Sequence, residues 1–139
     1  MELPDAAREL IEAGALGHLA TISASGAPQV TCIWVAVRGD HLETAHLNPG
    51  QQKLRNVERD PRVTLSFEGT YIKPPGLREY LVVHGRAEIV PGGAPELLQE
   101  LAHVYLGPDV RFPPVDDPPP GVRMRIAIER LGGIGSWAD

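Results

Sequence analysis

Hydrophobic and polar positions along the chain change period several times, and the changes mark the elements. Residues 4–13 read as a helix, with Pro4 and Asp5 in the first turn and Gly14 as a C-terminal stop. Residues 18–23 read as a short strand, and residues 24–28 (Ala-Ser-Gly-Ala-Pro) as a turn. Residues 29–38 form a second expected strand, with Thr31, Ile33, Val35 and Val37 on one face and Val30, Cys32, Trp34 and Ala36 on the other. Apolar residues on both faces predict a strand covered from both sides. Gly39 and Asp40 signal a hairpin into a third strand, residues 41–47.

Asn48-Pro49-Gly50-Gln51 follows, and reads as a helix start: Asn48 at the N-cap, Pro49 at the first helical position, Gln51 at the third. The helix runs to residue 58 or 59 and stops before Asp60-Pro61. Its only apolar residues are Leu54 and Val57, so a narrow stripe faces the core. In residues 62–67, Val63, Leu65 and Phe67 alternate with Thr64 and Ser66, the pattern of a half-buried strand. Residues 79–90 form a long strand in which Gly85 marks a bulge or bend. Pro95 opens another helix along Leu97, Leu101 and Val104, and Gly107 closes it. Residues 108–120 hold six prolines and no periodicity, which predicts a lid or a subunit contact. A last strand, residues 122–131, points Val122, Met124, Ile126 and Ile128 inward. Six mostly hairpin-connected antiparallel strands and three helices predict a mainly β (α+β) domain, a small barrel spanning residues 1–139.

Composition narrows the function. The single Cys32 rules out an internal disulfide framework and a multi-cysteine zinc site, and suits a reducing cytoplasm. The N-terminus lacks the basic start of a secretory signal, and the longest apolar run, residues 32–37, is far short of the ~20 residues of a membrane helix. A net charge of −5 and seven aromatics argue against a nucleic-acid-binding barrel, which needs stacking platforms in a basic groove. The histidines show no metal-ligand spacing, so no metal is expected.

The chemistry concentrates at the expected helix start after residue 47. Unpaired N–H groups and the helix dipole favour an anion there. Lys53 stands in the first turn, with Gln51, Arg55 and Asn56 close by, and His46 ends the preceding strand beside the same mouth. A solvated helix face with i,i+3 and i,i+4 pairs explains the same residues equally well. Elsewhere, Cys32 reads as a core residue rather than a nucleophile, because no histidine–acid pair accompanies it. Trp34 either stacks on a ring or packs. His84 reads as structural, Trp137 as an aromatic docked on the barrel or a flexible cover, and Arg123 and Arg125 as a solvated pair or contacts for an anionic tail.

Three blocks carry a resemblance. Leu19-Ala20-Thr21-Ile22, then Gly26-Ala27-Pro28-Gln29-Val30-Thr31 and Trp34, resemble the opening of the pyridoxamine 5′-phosphate oxidase-like split-barrel family. Lys53-Leu54-Arg55-Asn56-Val57-Glu58-Arg59-Asp60-Pro61-Arg62-Val63 resembles its K-x-R-N-x-x-R-D-P-R-V signature, and Tyr80-Leu81-Val82-Val83-His84-Gly85-Arg86-Ala87-Glu88-Ile89 a later strand. The resemblance implies a split β-barrel, a homodimer, and a flavin or deazaflavin in a groove between subunits. The signature looks most like the branch using the deazaflavin coenzyme F-420.

Carried over, Lys53 is the cation for the cofactor phosphate, and Gln51 and Gln52 lend backbone N–H groups. His46 and Gln29 flank the phosphate and ribityl chain, while Val30, Thr31 and Cys32 lay strand backbone along the ring. One departure stands out: relatives often carry Arg or Lys where Gln51 or Gln52 stands. The expected activity is hydride transfer between reduced F-420 and an electron-poor small organic molecule, with no proton donor named. The rivals are an FMN-dependent oxidoreductase on the same fold and a non-enzymatic carrier of flavin, deazaflavin or haem.

Overall fold

The computed structural model describes residues 1–138. Three α-helices, α1 (Asp5–Glu12), α2 (Gln52–Arg59) and α3 (Ala94–Tyr105), accompany seven strands. These are β1 (Gly17–Ile22), β2 (Pro28–Ile33), β3 (Ala36–Arg38), β4 (His41–His46), β5 (Arg62–Lys73), β6 (Leu77–Pro91) and β7 (Val122–Ile134). A 3-10 turn follows at Ser136–Ala138. All strands join one antiparallel sheet, in the order β2-β1-β5-β6-β7-β4-β3.

The order dictates the shape. β2 and β3 stand at opposite ends of the sheet but are joined only by Trp34 and Val35. In a flat sheet six strand spacings would separate them by ~29 Å, beyond the reach of that link. The sheet therefore curls until its ends meet, giving the split barrel expected of the sequence. The strand count is seven rather than six because residues 29–38 form two strands. β2 pairs with β1 and β3 with β4, so the chain must leave one sheet end for the other at Trp34–Val35.

Val63, Leu65, Phe67, Leu81, Val83, Met124, Ile126 and Ile128 fill the interior, with Ala7 and Ile11 of α1 and Leu54 and Val57 of α2 at its ends. α3 builds a second cluster outside the barrel, Leu97 and Leu101 packing on Ala36 and Ala45. Val122 is only half-buried, at the edge of the interior. Gly85 sits at the register shift between β6 and β7, and a Cβ there would lie 2.2 Å from the Ala127 carbonyl oxygen. Glycine is what lets the two backbones approach at the bend.

Two further local expectations fail. β2 is not covered on both faces: it is an edge strand, with Val30 63% exposed and Cys32 exposed on its outer side. Cys32 is thus no core residue. Nor does Asn48 cap α2. Its Oδ1 accepts the Gly50 N–H at 2.9 Å, and Asn48-Pro49-Gly50 forms a turn that ends before the helix. Asn and Gly favour such a turn as strongly as Asn and Pro favour a cap. The N-cap is Gln51, whose side chain makes no capping bond.

Candidate functional site

β2, at one end of the sheet, and β4, next to the other end strand, border one cleft of about 530 Å³. β2 and its exit supply Cys32, Ile33 and Trp34; β4 and its exit supply Ala45, His46, Leu47 and Asn48; the start of α2 supplies Gln51 and Lys53. Leu16, Leu98 of α3 and Phe112 of the proline-rich loop complete the wall. The cleft is polarised. One end carries Lys53, Gln51, Asn48 and His46, and the rest is apolar and aromatic.

At the polar end, the first turn of α2 has spare donors. Leu54 and Arg55 N–H groups both donate to the Gln51 carbonyl, at 3.1 and 3.2 Å. Among the described residues the Gln52 and Lys53 N–H groups have no acceptor. The Lys53 ammonium is half-buried and enters no ion pair with a described residue. Burial pushes Lys53 down from its ordinary value, and the neighbouring Cys32 side chain opposes that shift. It is the one permanent cation among the described cleft-lining residues.

His46 is buried, with Nε2 2.7 Å from Thr44 Oγ1. Burial, followed by the Lys53 charge, lowers the imidazole from 6.5 to about 4, while a hydrogen bond with the Gln51 side chain works against the shift. His46 is therefore neutral at neutral pH. An unfolded chain takes up this proton near pH 6.5 and the folded chain does not until about pH 4. The stability tied to neutral His46 is full above pH 6.5 and is lost as pH falls toward 4, by up to ~1.4 kcal/mol per unit. Urea unfolding at stepped pH should show this slope, and His46→Gln should flatten it. An unchanged slope in the variant would assign the loss to other groups.

At the apolar end, Trp34 is clamped between two rings. Tyr105 stacks on it at 5.5 Å and 11°, and Phe112 meets it edge-on at 5.2 Å. Tyr105 OH donates to the Ala15 carbonyl at 2.8 Å and accepts from the Val35 N–H at 3.2 Å, which fixes the corner between β2 and β3. Trp34 thus packs and lines the cleft at once. Phe112 is one of the site residues that sequence reasoning missed, with Leu16, Ala45, Leu47 and Leu98. Its only signal was being the large aromatic in a proline-rich loop, and that loop does reach the cleft.

The structure brings four of the expected site residues to the cleft: Cys32, His46, Gln51 and Lys53. Gln29, Gln52, Arg55 and Asn56 form a separate network. Asn56 is fully buried; its Nδ2 donates to Thr21 Oγ1 at 3.0 Å and Gln29 Oε1 at 2.8 Å. Its Oδ1 accepts from Gln52 Nε2 at 2.8 Å and from Arg59 at 3.3 Å, and Arg55 reaches Gln52 Oε1 at 3.0 Å. All of the Asn56 side-chain amide is thereby used, and it ties α2 to β1 and β2. Val30 lies on the exposed outer face, and Thr31 is half-buried with its Oγ1 unpartnered. Neither lines the cleft.

The remaining candidates have partners within the protein. His84 Nδ1 lies 3.2 Å from Thr64 Oγ1, and Trp137 is buried with its Nε1 donating to the Gly132 carbonyl at 3.0 Å. Arg123 pairs with Glu43 at 2.9 Å, and Arg125 faces Glu88 at 3.9 Å. Among the described residues no helix is long and apolar enough to cross a membrane.

Comparison with known proteins agrees with this fold. An F-420 reductase structure is 30% identical, with 94% of this chain and 98% of that one covered and a TM-score of 0.73. A conserved hypothetical protein from Mycobacterium tuberculosis is 26% identical over 94% of this chain and 84% of its own, with a TM-score of 0.70. A FAD-binding protein from Mesorhizobium loti shares the fold at 22% identity, 96% and 95% coverage, and a TM-score of 0.66. None of the curated proteins matches the chain. The family model described as pyridoxamine 5′-phosphate oxidase matches residues 3–134. With that match over nearly the whole barrel, the chain belongs to the pyridoxamine 5′-phosphate oxidase family, a family of oxidoreductase fold.

Proposed function

We propose that the protein is an F-420-dependent oxidoreductase, moving a hydride between the reduced deazaflavin and an electron-poor organic substrate. The observation that carries this reading is Lys53: a half-buried cation with no acidic partner among the described residues, beside two spare helix N–H groups. A desolvated, unpaired ammonium costs stability unless an anion completes it. A phosphate suits that donor set, and an aromatic wall suits the ring system attached to it. The signature helix and the 30% identity to an F-420 reductase favour the deazaflavin over FMN.

Reduced deazaflavin supplies a hydride when bound and avoids one-electron chemistry with oxygen. The chain's own residues bind and orient. Lys53 and the Gln52 and Lys53 N–H groups hold the phosphate, and Gln51 borders it. His46, neutral and bonded to Thr44, adds a polar contact without a second charge. Trp34, Leu98 and Phe112 keep water from the other end. Fluorescence titration with F-420 and with FMN tests the reading.

The working form is a homodimer acting in the reducing cytoplasm. α3 covers the outer side of β3 and β4, whereas the outer side of β2 leaves Val30 and Cys32 exposed. A second subunit there would bury that face and wall the cleft at Cys32. A single-chain mass by light scattering would contradict the dimer.

A further inference from the structure

Phe112 reaches the cleft from a loop, yet it is held in place from outside the cleft. Gln99, on α3, donates from Nε2 to the Val110 carbonyl at 2.8 Å, and its Oε1 accepts the Phe112 N–H at 3.0 Å. A carbonyl needs a donor and an N–H an acceptor; among uncharged side chains of this length only a carboxamide offers both from one terminus. These two bonds fix which way the amide points. The same Nε2 lies 3.0 Å from His103 Nε2, one turn along the helix, so that ring nitrogen acts as the acceptor. The grip comes from a rigid element, because Leu97, Leu101 and Ala102 anchor α3 in the fold. The loop's other side-chain bonds nearby are internal: Arg111 reaches the Val115 carbonyl and Asp116.

We propose that Gln99 is the positioning residue for Phe112: by gripping the loop backbone on both sides of Arg111, it sets the ring against Trp34 and fixes the aromatic end of the cleft. The consequence for ligand binding rests on the cleft being the F-420 site, whereas the placement of Phe112 does not.

The test uses Gln99→Met, which keeps length, volume and helix propensity while removing both bonds. The variant should keep the native circular dichroism and melting temperature within a few degrees. Amide hydrogen exchange at Phe112 should speed up by roughly tenfold or more, and the nuclear Overhauser contacts between the Phe112 and Trp34 rings should fade. Gln99→Glu, which keeps the acceptor but sets an oxygen against the Val110 carbonyl, should fall between the two. Unchanged exchange and intact ring contacts in Gln99→Met would overturn the proposal. F-420 titration adds a second reading. Gln99→Met should weaken binding about as much as Phe112→Ala does, and the double variant should lose little more. Additive losses would mean that Gln99 acts by another route. Absence of F-420 binding in the native protein would sink the functional reading, while the exchange result would still decide the role of Gln99.

Discussion

Replacing Lys53 with alanine should weaken F-420 binding by ~10–100-fold and leave the fold intact. A charged group's hydrogen bond to a phosphate in a partly desolvated site is worth about 1.5–3 kcal/mol. Lys53 enters no ion pair with a described residue, and its half-burial already disfavours its charge. The melting temperature should therefore stay level or rise slightly. Lys53→Arg should retain part of the affinity, since the charge remains but the longer fork must find new geometry. Fluorescence titration of the three proteins, alongside thermal melts, checks both halves. Unchanged affinity in Lys53→Ala would place the phosphate elsewhere.

Asn56→Ala should produce the opposite pattern. Asn56 satisfies Thr21, Gln29, Gln52 and Arg59 from a fully buried position. Removing it leaves several polar atoms unpaired and a small void, a loss of about 2–4 kcal/mol. Urea unfolding should show the midpoint falling with little change in slope. F-420 affinity of the fraction still folded should change far less than in Lys53→Ala, because Asn56 does not line the cleft. A stable Asn56→Ala protein with strongly impaired binding would make Asn56 a ligand contact after all.

The contrast between Lys53 and Asn56 shows what the sequence could and could not tell. Both stand in one polar helix, K-L-R-N-V-E-R, and both read as surface donors near an anion site. Asn56 is buried because its partners Thr21 and Gln29 arrive from β1 and β2, 35 and 27 residues earlier, and no helical periodicity reports that. The alternation in residues 62–67 and the Gly85 bend were legible because they depend on local pleat and on one close backbone approach. The break at Trp34–Val35 was not. Apolar residues continue through it, and only the pairing of β2 with β1 and β3 with β4 demands the corner. The helix start was placed early for a related reason: Asn48-Pro49-Gly50 fits a turn as well as a cap, and the turn is what lets the chain leave β4 and enter α2. Phe112 stayed hidden because a loop carries no period, and its placement depends on Gln99 from another element.

In the proposed function, the start of α2, with Lys53, seats the phosphate of F-420 in this cleft. Equilibrium titration of the native protein with F-420 and, separately, FMN tests it most directly, following each cofactor's own fluorescence at fixed low salt. F-420 should bind saturably, more weakly as inorganic phosphate or salt is added, and FMN should bind markedly less tightly. Tight FMN binding with none for F-420 would rule out the deazaflavin and make the protein a flavin enzyme of the same family.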